Sequence, residues 1–157
     1  MADLPAVLMT FMMGPVEGFM VAFIKILLKL VVKGTETVFV GELASLIGTA
    51  SYIFPAAFVY HRKKGKSGAV FAMLAGTVFV SLTSLIGNAY LVFPAFARLY
   101  GMSLDTIIAM GTVINKNITD IYSLMIFAIL PFNLIKYTIL SVVTFFTYKR
   151  LKNIIFK

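Results

Sequence analysis

The long apolar run from Ser67 to Phe93 constrains this chain more than any other feature. A bilayer core takes roughly 20 apolar residues per helix. Inside it every backbone polar group needs a partner, which a helix supplies from its own segment. Val16 to Val32 and Glu42 to Tyr60 approach the same length. The chain therefore reads as all-α, a polytopic membrane helical bundle forming a single membrane domain over residues 1–157. Composition agrees. Of the residues, 61% are hydrophobic and 13% charged, where soluble domains carry about a quarter charged.

Composition also removes several functions. Cysteine is absent, which excludes disulfides and thiolate metal sites. One histidine and six acids are too sparse for a zinc or hydrolytic constellation with the usual ligand spacing. The net charge of +8 is not a nucleic-acid signature, because the basic residues cluster at the ends of apolar segments. That is where the positive-inside rule places them.

In chain order, residues 4–13 form a short helix broken at Gly14-Pro15. Ten residues rise only about 15 Å, half a bilayer. The segment is no secretory signal, since it lacks a basic n-region. Spans follow at 16–32, 42–60, 67–93 and 132–148. In the first of these, Lys25, Lys29 and Lys33 recur every four residues, with Glu17 eight before Lys25, so all share one stripe. Lys25 lies too deep to snorkel easily. It must face a cavity, a partner charge or another subunit; a carboxylate partner and a direct ligand contact are both open. The 42–60 span is rich in small residues and carries Pro55, a kink signal. Gly68, Ala72 and Gly76 form a small-residue stripe suited to helix packing.

Charge placement orients these spans. His61-Arg62-Lys63-Lys64-Gly65-Lys66 and the tail Lys149-Arg150-Leu151-Lys152 both read as cytoplasmic. His61 belongs to the first loop rather than to a site. An even number of crossings must separate the two clusters, and 67–93 with 132–148 supply them. Residues 95–130 then become an extracytoplasmic excursion. Loop 34–41, with Thr35, Glu36 and Thr37, is outside too.

The same argument places Asn88 and the stretch Pro131-Phe132-Asn133-Leu134-Ile135-Lys136 at the outer face. Proline is tolerated in a helix's first turn, so Pro131 is expected to open the last span. Asn133 and Lys136 are three apart and share a face. A helix cap with a snorkelling lysine and a solute site are both compatible with that pattern.

Several stretches together carry a family resemblance. They are Asp3-Leu4-Pro5-Ala6, Gly14-Pro15-Val16, Ile24-Lys25, Gly41-Glu42-Leu43-Ala44, Tyr60-His61-Arg62-Lys63, Asn88 through Pro94, Pro131 through Lys136, and Tyr148-Lys149-Arg150-Leu151. In this order the chain resembles the substrate-binding S component of energy-coupling-factor vitamin transporters, most closely the riboflavin-specific branch. The resemblance implies a six-helix fold with both ends cytoplasmic, of which about five membrane segments are present here. It implies capture of riboflavin from outside and docking onto a membrane coupling subunit driven by two ATPase subunits. No catalysis, cofactor or metal is implied; riboflavin is the transported ligand. Carried over residue by residue, Asn88, Asn133 and Lys136 would bind it. Tyr90, Phe93 and Phe132 would either wall the ring or join the core.

Three departures qualify the match. The family's first helix, with its docking motif, is missing here, and the sequence starts where the second helix would be expected. Ile26 and Lys29 stand where the branch often has Asn and His. Residues 95–130 are longer than in some relatives. Two rival functions remain: an S component for another vitamin or precursor, and a membrane assembly protein without a small ligand. The second expects no convergence of Asn88, Asn133 and Lys136.

Overall fold

The computed structural model describes residues 2–35, 37–101 and 103–155, with residues 149 and 151–155 described as backbone. Met1, Glu36 of the 34–41 loop, and the side chains of Lys149, Leu151 and Lys152 lie outside the described residues.

Helix α1 spans Leu4–Met12 and α2 spans Pro15–Lys33. They are hinged at Gly14, whose φ of +150° suits glycine, and Pro15 opens α2 at a position where its missing N–H costs nothing. Helix α3 runs Val40–Arg62, continuing through Pro55. Helix α4 covers Lys66–Gly87 and passes through a π-helical segment, Asn88–Val92, into α5, Phe93–Tyr100. Helices α6, Leu104–Ile114, and α7, Ile121–Leu124, follow. A second π segment, Met125–Ile129, leads into α8, Leu130–Ile155.

Contacts fix the helix directions. Tyr52 and Tyr60 of α3 meet Ser141 and Tyr148 of α8 through hydroxyl pairs of 2.6 and 2.8 Å, so α3 and α8 run parallel. Phe11 packs on Tyr60 and Tyr148, while Asp3 reaches Thr49 and Lys136, so α1 runs the same way. Helices α2 and α4 run opposite. These five helices thus share one basic end, holding residues 61–66, and one distal end, holding 34–41 and 88–130. The core between them is Val7, Phe11, Tyr52, Ala56, Ala72, Met73, Val80, Tyr137 and Leu140. The small-residue stripe of α4 packs as expected: Gly68, Ala72 and Gly76 are all buried. A Cβ on Gly76 would stand 2.9 Å from the Tyr52 carbonyl oxygen, so the glycine permits the close approach of α3 and α4.

Two boundaries at the distal end differ by more than a turn from the sequence reading. The helix expected to stop at Phe93 continues to Tyr100, and the one expected to open at 132 is helical from Ile121. Residues 95–130 are therefore mostly helical rather than a loop, and Ile118, Leu124 and Met125 form a small core with Phe93. The reason is common to both. Proline lacks an N–H and collides with the carbonyl four residues earlier. For Pro94 and Pro131 those carbonyls belong to Tyr90 and Phe127, each inside a π segment. The wider π turn accommodates the proline, and the helix goes on. Pro131 therefore lies within a helical stretch instead of opening it.

Among the described residues, three helical stretches are long and apolar enough to cross a membrane: Val40–Arg62, Lys66–Tyr100 and Ile121–Tyr148. Helix α2 has 19 residues but carries Glu17 and a lysine stripe.

Candidate functional site

Two polar layers cross the bundle. The upper one joins α4 to α8 near the π segments. Asn88 Nδ2 donates to the Ser84 carbonyl at 2.7 Å, and Asn133 Nδ2 donates to the Ile129 carbonyl at 2.9 Å. Each amide therefore pairs with the backbone four residues earlier, beside a π segment. Ser84 Oγ then donates to Asn133 Oδ1 at 3.3 Å, linking the two helices. Asn133 is buried and Asn88 half-buried.

The lower layer is ionic and sits about halfway along the bundle. Asp3, the residue preceding α1, is buried. Its Oδ1 takes a close ion pair from Lys25 of α2 and a 3.1 Å hydrogen bond from Thr49 Oγ1 of α3. Its Oδ2 faces Lys136 Nζ of α8 at 3.5 Å. Lys136 also lies 4.8 Å from the centre of the Tyr137 ring. Desolvated charges persist only when paired. Here two ammonium groups share one carboxylate, which leaves one positive charge in excess. A separate pair closes the distal end of α2: Lys29 Nζ reaches Glu42 Oε1 at 2.8 Å, and Thr37 Oγ1 donates to Glu42 Oε2 at 3.0 Å.

Of the three residues singled out from sequence, Asn88 and Asn133 are joined through Ser84, and Lys136 stands one turn along α8 from Asn133. Together they offer two amides that donate and accept, and an ammonium that only donates. Lys25, whose depth demanded a partner, has a carboxylate. Glu17 is exposed, near the Gly14 hinge. The aromatics divide: Phe93 is in the distal core, whereas Tyr90 and Phe132 are exposed. His61 Nδ1 lies 3.0 Å from the Ala57 carbonyl of its own helix, at the basic end. Asp3, Thr49 and Ser84 were not singled out. Only Asp3 had a signal, a lone acid just ahead of an apolar segment while a deep lysine lacked a partner.

Residues 1–148 match the family described as "ECF transporter, substrate-specific component". The riboflavin transporter RibU of Staphylococcus aureus (strain TCH60) is 29% identical over 152 residues, covering 97% of this chain and 73% of that protein. The riboflavin transporter FmnP of Bacillus subtilis (strain 168) is 28% identical over 152 residues, covering 96% and 74%. A solved structure, reported under "Structure and mechanism of the S component of a bacterial ECF transporter", superposes with a TM-score of 0.72 at 27% identity, covering 99% of this chain and 77% of that one. The apolar helices are accordingly those of a multi-pass membrane protein and not of an enzyme. On its matched residues and its fold, the chain belongs to the family of substrate-specific components of energy-coupling-factor transporters.

Proposed function

We propose that this chain captures riboflavin at the extracytoplasmic face and delivers it to a membrane coupling subunit driven by two ATPase subunits. The observation that carries the ligand is the convergence of Asn88, Ser84 and Asn133, with Lys136 one turn away. The isoalloxazine edge presents carbonyl and ring-nitrogen acceptors beside an imide N–H donor. Amides answer both kinds of group, and the lysine answers the acceptors. In a site shielded from water such bonds are worth more than at a surface. Both relatives named above are riboflavin transporters, which supports the same ligand.

The side of the membrane follows from charge. The basic end carries Arg62, Lys63, Lys64 and Lys66, so it faces the cytoplasm and the distal end faces out. The amide layer lies toward the distal end, the side from which a solute outside the cell would approach. The C-terminus is then cytoplasmic.

Purification followed by an absorbance spectrum tests the reading. Co-purified flavin gives a yellow protein with visible bands, and added riboflavin loses fluorescence on binding. Folded protein that neither carries nor binds riboflavin would overturn it.

A further inference from the structure

Lys136 shares Asp3 with a second lysine, and the sharing is unequal. Lys25 holds the close contact on Oδ1, and Thr49 occupies the same oxygen. Lys136 meets Oδ2 at 3.5 Å, well beyond the roughly 2.7–2.9 Å of a charge-assisted hydrogen bond. The side chain of Lys25 is 24% exposed and that of Lys136 39%, against 8% for Asp3. The carboxylate is thus spent mainly on the more buried lysine.

We propose that Lys25 is a positioning residue: by neutralising Asp3 it leaves Lys136 as the uncompensated cation available to the ligand. This rests on the riboflavin reading above. Coulomb attraction at a few ångströms is strong where water is excluded. A carboxylate without Lys25 would pull Lys136 into a full pair, and the ligand's acceptors would then compete with Asp3 for it. With Lys25 present, the four-residue layer carries one net positive charge on Lys136, directed at an electron-rich group. The same balance disfavours a ligand presenting a cation there, since like charges close together in low dielectric repel. Lys25 touches no ligand in this scheme and acts through Asp3.

The test compares riboflavin dissociation constants, read by flavin fluorescence, for the wild-type chain, Lys25→Met, the double variant Asp3→Asn with Lys25→Met, and each of these with Lys136→Met. Lys25→Met is expected to weaken binding about tenfold or more, the scale of one charged hydrogen bond. The double variant removes both charges and keeps the net charge of the layer. It should recover to within about threefold of wild type. With Lys136→Met in place, Lys25→Met should add less than about twofold, because its effect passes through Lys136. A role confined to stability would weaken both backgrounds alike. The flavin absorbance maximum gives a second readout. It should move in Lys25→Met and return in the double variant, following the charge beside the ring. Should Lys25→Met not accumulate as folded protein, the double variant decides alone. Binding near wild type that is lost on adding Lys136→Met upholds the proposal, and weak binding with Lys136 intact overturns it. Wild-type protein that binds no riboflavin ends the underlying reading. Wild-type binding with an indifferent Lys25→Met ends only this proposal.

Discussion

The amide layer and the ionic layer differ in where their partners come from. Asn88 and Asn133 each satisfy a carbonyl of their own helix, four residues back, and only Ser84 crosses between helices. Asp3 draws on residues 22 and 46 positions away and on Lys136 of the last helix. A layer built from local bonds can lose a side chain and leave a helix intact. A layer built from α1, α2, α3 and α8 holds those helices together. The first is suited to exchanging its remaining hydrogen bonds with a ligand. In the second, Asp3, Lys25 and Thr49 are suited to staying fixed while Lys136, the loosest member, turns to the ligand.

Asp3→Ala is the strongest way to break this comparison. Removing one partner of a buried pair costs about 3–5 kcal/mol when the other charge stays buried. Lys25 and Lys136 are partly exposed and can turn toward water, so about 2–4 kcal/mol is expected. Thermal or detergent unfolding of the purified protein reads it. A variant that melts with the wild type would mean the ionic layer does not tie the helices.

Asn133→Ala should separate stability from binding. It removes one bond to Ile129 and a weaker one from Ser84, so stability should fall by about 1–2 kcal/mol. Riboflavin affinity should fall by roughly 1–3 kcal/mol if the amide's hydrogen bonds are made in a dry site. The same unfolding assay and a fluorescence titration give both numbers. Equal losses in the two would erase the distinction between the layers. Ser84→Ala should do less, about 0.5–1 kcal/mol in binding, because at 3.3 Å it only orients the Asn133 amide. An effect larger than that of Asn133→Ala would assign the ligand contact to Ser84 instead.

The contrast also explains what could be read in advance. Asn133 and Lys136 stand three apart, and helical periodicity alone puts them on one face. The α4 stripe of Gly68, Ala72 and Gly76 was legible for the same reason. The partner of Lys25 was not, because no spacing rule connects residue 25 to residue 3 across the Gly14 hinge. The helix boundaries at Pro94 and Pro131 misled for a different reason. Proline normally punctuates a helix, and nothing in local propensity announces a π turn that will absorb it. Part of the 95–130 region did carry its own signals. Ser103 caps α6 by accepting from the Thr106 N–H at 3.2 Å, and Asp120 caps α7 by accepting from the Ser123 N–H at 2.7 Å. Both residue types favour helix starts.

The Asp120 cap gives the smallest effect and the sharpest sign. Asp120 and Ser123 form a reciprocal capping box: the Asp120 N–H donates to Ser123 Oγ at 2.9 Å while the carboxylate accepts from Ser123. The Ser123 hydroxyl, and then its backbone N–H, hold the carboxyl below its usual range. A carboxylate favoured in the folded state contributes its full stabilisation above the unfolded value of about 4. That contribution is lost as pH falls through the lowered folded value, so acid should loosen the start of the helical stretch at Ile121 and neutral pH should not. The effect is local because the group is fully exposed and screened by solvent. The amide resonance of Ser123 should titrate with a midpoint below about 4, and Asp120→Asn should abolish that titration. A midpoint at or above the ordinary carboxylate value would mean that the box does not form, and the continuous helix through Pro131 would need another start.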